Sequence, residues 1–332
     1  MSRWFLLTLM LLIAAAVTAV NRTEFVDVGD GVKLEVLDWG GEGRPVVLLP
    51  GSGNTAHVFE NFASKLIDCC HVHVYGITRR GFGSSSKPER GYSTPDLAED
   101  DFRVIQALKL RKPIIMGHSV AGSEMTFLGQ KIPSEFDAFV YLDANADPLD
   151  FPWDNAEYRS AVTKATKGEA GRPKRTPADS TSVEAYQAYQ KRIGEAPFPG
   201  EEIRNMYEIN ADGSLGKDRT PPYVGDEIGI GSIAKDYHGM HVPVLALIAA
   251  PLPPAEKWKN RIPKDEDERR ASDRADEILM EYLHRWENNL KREDSQARIV
   301  ELPGAHHYIF LSEEGEVLKA ISSFLKTLPA HD

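Results

Sequence analysis

Continuous apolar segments, each followed by a helix-type pattern, constrain the fold of this chain most strongly. Residues 45–49 (PVVLL) and 113–116 (PIIM) carry no polar side chain, which is typical of strands buried on both faces of a sheet. Further strands are predicted at residues 71–77, 136–142, 242–248 and 298–302, and helices at residues 57–66, 96–108, 275–290 and 314–325. This alternation predicts an α/β fold in which helices cover a mostly parallel sheet on both faces.

The points at which the strand–helix alternation begins and is interrupted predict the domain organisation. Residues 25–28 and 32–37 alternate apolar and polar around a Gly-Asp-Gly turn, which predicts a β-hairpin and brings the expected sheet to eight strands. Residues 145–239 lack continuous apolar strands and are rich in proline, glycine and charge. We therefore expect residues 21–144 and 240–332 to form one α/β core, with residues 145–239 inserted as a helical cap or lid.

Charge and cysteine content narrow the classes of protein to which the chain can belong. The 332 residues carry a formal net charge of −11. This charge argues against nucleic acids and anionic membrane surfaces as partners, because both bind proteins through a basic face. A small uncharged substrate is compatible with this charge. Cys69 and Cys70 are adjacent, and because neighbouring cysteines bridge poorly we expect half-buried thiols and no cysteine-based metal site.

The first residues resemble a secretory signal. Arg3 supplies one positive charge, residues 4–17 are almost wholly apolar, and Val17-Thr18-Ala19 has the small-residue spacing that a signal peptidase accepts. We expect residues 1–20 to be removed as a signal peptide and the folded part to be secreted or periplasmic, without stable membrane association. An uncleaved membrane anchor is the alternative, because the apolar run is close to the minimum length that spans a bilayer.

The segment Gly117-His118-Ser119-Val120-Ala121-Gly122 follows a buried strand directly. A serine at this point is either a turn residue that caps the next helix or a nucleophile on a tight strand-to-helix bend. Such a bend needs small residues two positions to either side, and Gly117 and Ala121 meet that need. The segment resembles the nucleophile elbow of the α/β-hydrolase fold family, in its serine branch of esterases and haloperoxidase-like hydrolases, with Ala121 in place of the usual second glycine. The resemblance implies that Ser119 is the nucleophile.

The resemblance also implies where the base lies. A serine hydroxyl needs a base, and the family order is nucleophile, acid, histidine, with the histidine just after the last strand. Here the last predicted strand is followed by Pro303-Gly304-Ala305-His306-His307-Tyr308, which resembles the family's terminal histidine loop. Its register implies His307 as the base and leaves His306 as a neighbouring or solvent-facing residue.

The acid that orients the histidine has three candidates. The commonest family position follows the penultimate strand, but Ala249-Ala250-Pro251-Leu252-Pro253-Pro254 contains no carboxylate, and Glu256 is the first acid beyond it. Some family members carry the acid at the end of the strand after the nucleophile helix. This chain has Asp143 there, directly after a buried run and so at the same sheet edge as Ser119. We select Asp143, keep Asp147 and then Glu256 as alternatives, and note that a helix or turn cap is the other role open to Asp143.

Two loops are expected to complete the site. An oxyanion hole needs backbone N–H groups aimed at the developing negative charge, and the resemblance implies Val120 as one donor. The other comes from the loop after the first buried strand, which reads Pro50-Gly51-Ser52-Gly53-Asn54 where the family usually has His-Gly. We assign this donor to Ser52, with Gly53 close behind. The turn Arg79-Arg80-Gly81-Phe82-Gly83-Ser84-Ser85 resembles a family turn and is expected to be architectural.

These residues predict a serine hydrolase that cleaves a small-molecule carboxylic ester through an acyl-enzyme, without a cofactor. Hydrolysis of an amide, a lactone or a carbon–carbon bond is the alternative, as is a ligand-binding protein of this fold with slow turnover. No metal is expected, because the pairs His71/His73 and His238/His241 are more typical of structural histidines. The sequence shows no phosphate-binding glycine loop and no dinucleotide fingerprint.

Overall fold

A mixed sheet of eight strands forms the centre of the fold. The structure, a computed structural model, describes residues 22–166 and 173–331. The strands are β1 (Arg22–Asp27), β2 (Lys33–Gly40), β3 (Arg44–Leu49), β4 (Val72–Thr78), β5 (Ile114–His118), β6 (Ala138–Leu142), β7 (Tyr207–Ile209), β8 (Leu215–Asp218), β9 (Val244–Ala250) and β10 (Arg298–Pro303). The sheet has the order β1-β2-β4-β3-β5-β6-β9-β10, in which only the two pairings of β2 are antiparallel. The predicted α/β fold with a mostly parallel eight-stranded sheet is confirmed.

Helices cover both faces of this sheet. In chain order they are α1 (Glu60–Cys70), α2 (Thr94–Ala107), α3 (Ala121–Lys131), α4 (Ala156–Thr166), α5 (Val183–Arg192), α6 (Gly200–Met206), α7 (Tyr223–Ile230), α8 (Pro254–Asn260), α9 (Glu266–Glu293), α10 (Ile309–Ser312) and α11 (Glu314–Leu325). Helices α2, α3 and α9 share a buried core with Val47 and Leu49 of β3. Helices α1 and α11 share the opposite core with Val46 and Leu48. Alternate residues of one apolar strand therefore enter different halves of the core, as expected for a strand covered on both faces.

The parallel strands bring distant parts of the chain to one edge of the sheet. Leu49 pairs with Gly117, and Leu142 pairs with both His118 and Leu247. The loops that leave β3, β5, β6 and β9 consequently start side by side at the carboxyl ends of these strands. In open α/β sheets this edge is where ligand sites form.

The segment between β6 and β9 contains helices α4 to α7 and a hairpin of β7 and β8, which pair antiparallel. The hairpin was not predicted from the sequence. Its turn holds Asp212-Gly213, with Gly213 at a φ of +85°, and Asp-Gly between short extended segments is a typical hairpin signal. The strands were missed because they are short and only partly apolar.

Local details differ from the predictions at two helix starts. Helix α2 begins at Thr94, just before the predicted start at residue 96, with Ser93 as the N-cap: the Ser93 hydroxyl accepts a hydrogen bond from the Asp96 N–H. Helix α9 begins at Glu266, capped by Asp265, which is well before the predicted start at residue 275. Acidic residues in the first turn favour such a start because they interact with the positive end of the helix dipole.

The expectation for the cysteines is wrong. The structure joins Cys69 and Cys70 in a disulfide between adjacent residues. Both lie at the end of α1, where the backbone leaves the helix at His71 with a φ of 52°.

The predicted signal peptide, residues 1–20, lies outside the described residues. Among the described residues, no helix combines the length and the apolar content needed to cross a membrane.

Candidate active site

Ser119 lies on a tight bend between β5 and α3, with a φ of 56°. For a residue other than glycine this left-handed conformation is uncommon and marks a site where the surroundings hold the backbone in place. Strand and helix approach closely on both sides of it. A Cβ on Gly117 would lie 2.3 Å from the Met125 sulfur, and one on Gly122 would lie 1.9 Å from the Ala144 carbonyl oxygen. The small residues around Ser119 are therefore required by packing.

The imidazole of His307 lies between Ser119 and Asp143. Its Nε2 is 3.0 Å from the Ser119 Oγ, and its Nδ1 is 2.6 Å from Oδ2 of Asp143. When Nδ1 carries the imidazole proton and donates a hydrogen bond to the carboxylate, Nε2 has a free lone pair that can accept the serine proton. The backbone N–H of His306 donates to the Ser312 hydroxyl, and it is the imidazole of His307 that lies between the serine and the acid.

Asp143 is anchored independently of His307. It lies directly after β6 with a φ of 50°, and its Oδ1 accepts a hydrogen bond at 2.9 Å from the Ala249 backbone N–H. The two alternative acids lie elsewhere: Asp147 accepts a hydrogen bond from the Leu149 backbone N–H in a local turn, and Glu256 is exposed in the first turn of α8. Of the three candidates, Asp143 is the one whose carboxylate is hydrogen-bonded to His307.

The loop after β3, residues 50–55, passes beside Ser119. A Cβ on Gly51 would lie 3.1 Å from the Ser119 Cβ. A turn closes between the Gly51 carbonyl and the Asn54 N–H at 3.3 Å, with Ser52 and Gly53 at its tip. Within residues 22–166 and 173–331, the backbone N–H groups of Ser52, Gly53 and Val120 donate to no protein acceptor. Free N–H donors on the loop and at the start of α3 are what an oxyanion hole requires. We refer to residues 50–55 as the oxyanion loop, after the role expected for it from the sequence.

Arg79, expected to be architectural, links this loop to helix α3, which follows Ser119. Its Nη2 donates to the Pro50 carbonyl at 2.9 Å and its Nη1 to the Gly51 carbonyl at 3.4 Å. The same guanidinium forms a two-point ion pair with Glu124 of α3 at 2.7 and 2.9 Å. The side chains of Arg79 and Glu124 are both buried. Asp101 is buried beside them, and its own burial, followed by the negative charge of Glu124, raises the pKa of Asp101 well above its usual range. Sequence reasoning identified the turn but not this contact.

His118, the residue before Ser119, contacts the histidine loop, and this contact was not identified from the sequence. It is buried, its Nε2 lies 3.0 Å from the His307 carbonyl oxygen, and its ring centre is 4.5 Å from that of His307. Burial, followed by the nearby His307, holds the pKa of His118 well below its usual range. A neutral imidazole has one N–H, and the geometry assigns it to Nε2, donating to the His307 carbonyl. The one signal in the sequence was a polar residue inside a fully buried strand.

Glu202 of α6 reaches the oxyanion loop from the inserted segment. It has no exposed surface, and its Oε1 accepts hydrogen bonds from Nδ2 of Asn54 at 2.9 Å and from the backbone N–H of Thr55 at 3.0 Å. In the sequence GEEIRNM nothing distinguishes Glu202 from its exposed neighbour Glu201. Only the tertiary structure shows that it belongs near the site.

The histidine pairs considered as metal ligands lie in two different settings: His238 and His241 are exposed, with His238 Nδ1 3.4 Å from Glu293 Oε2, whereas the other pair lies around the start of β4. His71 ends α1, and His73 on β4 is hydrogen-bonded to Asp38 at 2.7 Å. A different group, His284 and Glu287 of α9 with Glu301 of β10, has ligand atoms within 4.8 Å of one another and could hold a metal ion. It is separate from Ser119, and two of its members are exposed.

Comparison with known proteins gives the same fold. Residues 44–191 match the profile of a family described as "alpha/beta hydrolase fold". A relative from Mesorhizobium japonicum named 2-(acetamidomethylene)succinate hydrolase is 28% identical over 173 residues, which cover 50% of this chain and 61% of that protein. The aligned part of the chain thus spans less than two thirds of this relative.

Solved structures align over most of the chain. The crystal structure of an E-2-(acetamidomethylene)succinate hydrolase covers 93% of this chain and 100% of its own, with a TM-score of 0.64 and 20% identity. A marine microorganism esterase covers 88% of this chain and 99% of its own, with a TM-score of 0.56 and 19% identity. At these identities the likeness shows the fold.

Proposed function

Because the chain has the α/β-hydrolase fold, we propose that it is a serine hydrolase in which Ser119 is the nucleophile, His307 the base and Asp143 the orienting acid. The observation that carries this proposal is the continuous set of hydrogen bonds from the Ser119 hydroxyl through His307 to Asp143. Such an arrangement activates a hydroxyl that is otherwise a poor nucleophile. The uncommon backbone conformation at Ser119 supports the same role.

The reaction follows from these positions. The Ser119 Oγ attacks the ester carbonyl carbon while its proton passes to His307 Nε2, and the carbonyl oxygen becomes an oxyanion. The backbone N–H groups of Ser52 and Val120 are the proposed donors to this oxyanion, with that of Gly53 adjacent. Collapse of the intermediate expels the alcohol, which takes the proton from His307, and leaves an acyl-serine. Water then attacks the acyl carbon, giving its proton to His307, and the acid leaves as Ser119 regains its proton.

We propose a carboxylic ester of a small molecule as the substrate, on the strength of the site and of the fold shared with an esterase. Hydrolysis of an N-acyl bond is a second candidate. It is favoured by the relative from Mesorhizobium japonicum, whose printed name includes an acetamido group. Both reactions use the same acyl-enzyme, and they differ in the leaving group that His307 must protonate.

We further propose that residues 145–239 form a cap over the site. Two contacts support this role: α6 reaches the oxyanion loop through Glu202, and the ring of Phe198, just before α6, packs 4.9 Å from the ring of Tyr308, next to His307. Aromatic side chains in this position would provide an apolar wall for an acyl or alcohol group.

Labelling by a fluorophosphonate probe and turnover of p-nitrophenyl acetate test the proposal together. Ser119→Ala should abolish both, while Ser52→Ala should retain both, because the proposed role of Ser52 uses its backbone N–H and not its hydroxyl. A matched series of p-nitrophenyl esters, p-nitroanilides and a lactone with the same acyl group separates the ester from the N-acyl candidate. Slow labelling with negligible turnover of every compound would instead indicate a binding protein of this fold.

A further inference from the structure

A buried charge holds the oxyanion loop at each end. Arg79 binds the carbonyl groups of Pro50 and Gly51 from the core. At the other end, Glu202 accepts hydrogen bonds from the Asn54 side chain and from both the backbone N–H and the hydroxyl of Thr55. The tip between these anchors carries the free N–H groups of Ser52 and Gly53.

Tyr308 ties the Glu202 end of the loop to the catalytic histidine loop. Its hydroxyl donates to Oδ1 of Asn54 at 3.0 Å, and its ring centre is 5.6 Å from that of His307. Because Oδ1 of Asn54 receives the tyrosine hydroxyl, the amide NH₂ must face the carboxylate of Glu202. The orientation of Asn54 is thus set by one group on the inserted segment and one group beside His307.

We propose that Glu202 is a positioning residue, which holds the oxyanion loop in the shape that aims the Ser52 N–H at the reacting carbonyl oxygen. The inserted segment then completes the active site as well as covering it. This inference rests on the proposed serine-hydrolase function. Its physical basis is that the donors of Asn54 and Thr55 are buried with the carboxylate that accepts from them, and removing that acceptor would leave them unsatisfied in the interior.

The charge state of Glu202 suits this role at and above neutral pH. Burial raises its pKa to about 7, although the hydrogen bonds from Thr55 and Asn54 and the charge of His57 act in the opposite direction. His57 supplies a nearby positive charge: burial would lower its pKa, but the carboxylates of Glu35 and Glu60, 3.7 and 3.6 Å from its ring nitrogens, raise it to about 9. An ionised Glu202 can accept from every donor that surrounds it.

The test compares Glu202→Ala, Glu202→Gln and the control Glu201→Ala, which changes an exposed residue on the same helix. In Glu202→Gln the amide oxygen can accept from Asn54 and the Thr55 N–H, while its NH₂ donates to the Thr55 hydroxyl, so the loop keeps its anchors. We expect Glu202→Ala to lower kcat for p-nitrophenyl acetate about tenfold or more with KM within about twofold, because a displaced donor acts on the transition state. Glu202→Gln should stay within about threefold of wild type, and Glu201→Ala should equal it.

Hydrogen exchange provides a readout that does not depend on turnover. Glu202→Ala should speed exchange of the amides in residues 50–57, and Glu202→Gln should not. Wild-type kcat and exchange in Glu202→Ala would overturn the inference, as would an equal loss of kcat in Glu202→Gln. If Glu202→Ala fails to fold, Glu202→Asp, which shortens the side chain by one methylene, replaces it: a lowered kcat and faster loop exchange support the inference, and wild-type values overturn it. If wild type itself neither labels nor turns over, the proposed function fails, while the exchange data still decide the role of Glu202.

Discussion

Asp143 at the end of β6 accepts a hydrogen bond from the backbone N–H of Ala249 at the end of the neighbouring strand β9, at 2.9 Å. Its other carboxylate oxygen faces His307 Nδ1 at 2.6 Å. Asp143, the proposed acid, therefore lies beside the end of β9, where the expected acid position lacked a carboxylate, although Asp143 belongs to the adjacent strand β6. The two strand ends meet at one point of the sheet edge, so a carboxylate from either can reach the histidine.

Replacing Asp143 with asparagine should lower kcat by about four orders of magnitude while the protein still folds. In this variant the asparagine oxygen would accept from the Ala249 N–H, so the asparagine NH₂ would face His307 Nδ1. Nδ1 would then have to accept, which moves the imidazole proton to Nε2. With that proton in place, Nε2 could no longer accept the proton of Ser119. Turnover of p-nitrophenyl acetate and thermal unfolding measure the two effects. Asp147→Asn is the matched control and should stay within about twofold of wild type. Equal losses in the two variants would contradict Asp143 as the triad acid.

Arg79→Met should lower both stability and kcat, because it breaks a buried ion pair and releases the carbonyl groups of the oxyanion loop. Loss of one partner of a buried pair costs about 3–5 kcal/mol. The adjacent Arg80 forms a two-point ion pair with Asp100 at 2.6 Å but does not bind the loop. Arg80→Met should therefore destabilise the fold and leave the kcat of the folded fraction unchanged. Urea unfolding and active-site titration together separate the two variants, and an unchanged kcat in Arg79→Met would count against its contact with the loop being catalytically relevant.

His118→Phe should reduce kcat about tenfold, because it preserves an aromatic ring but removes the donor to the His307 carbonyl. His118→Gln, whose amide can reach the position of Nε2, should recover most of this loss. Steady-state kinetics with p-nitrophenyl acetate would measure the difference. If phenylalanine and glutamine behave alike, the hydrogen bond does not position His307.

Stability should fall between pH 6.5 and 9 through His57. Burial lowers the pKa of His57, but the carboxylates of Glu35 and Glu60, 3.7 and 3.6 Å from its ring nitrogens, outweigh burial and raise the folded-state pKa from 6.5 to about 9. Because the folded-state pKa of His57 is raised, its protonated imidazole stabilises the fold fully below pH 6.5. This contribution is lost as the pH rises through 9. The loss amounts to about 3 kcal/mol at most. In urea unfolding, wild type should be more stable than His57→Gln at pH 6, and this gap should close by pH 9.5; a gap that does not change with pH would refute the assignment.

The order of elements and the tight bend at Ser119 were accessible from the sequence because both depend on local patterns. Continuous apolar strands and their following helices recur along the chain, and the small residues around Ser119 reflect the close packing of β5 on α3. The hairpin of β7 and β8 and the start of α9 were missed, since short strands and charged helix starts carry weak periodicity.

The sequence by itself determined the strand–helix alternation, the bend that carries Ser119 and the short set of acids and histidines that could serve it. Only the tertiary structure decided among those acids, and only it revealed that Arg79, His118 and Glu202 contact the loops around the nucleophile. The reason is physical. Periodicity and small-residue spacing report how neighbouring residues fold, whereas these hydrogen bonds join groups far apart in the chain that meet only when the parallel strands align their carboxyl ends.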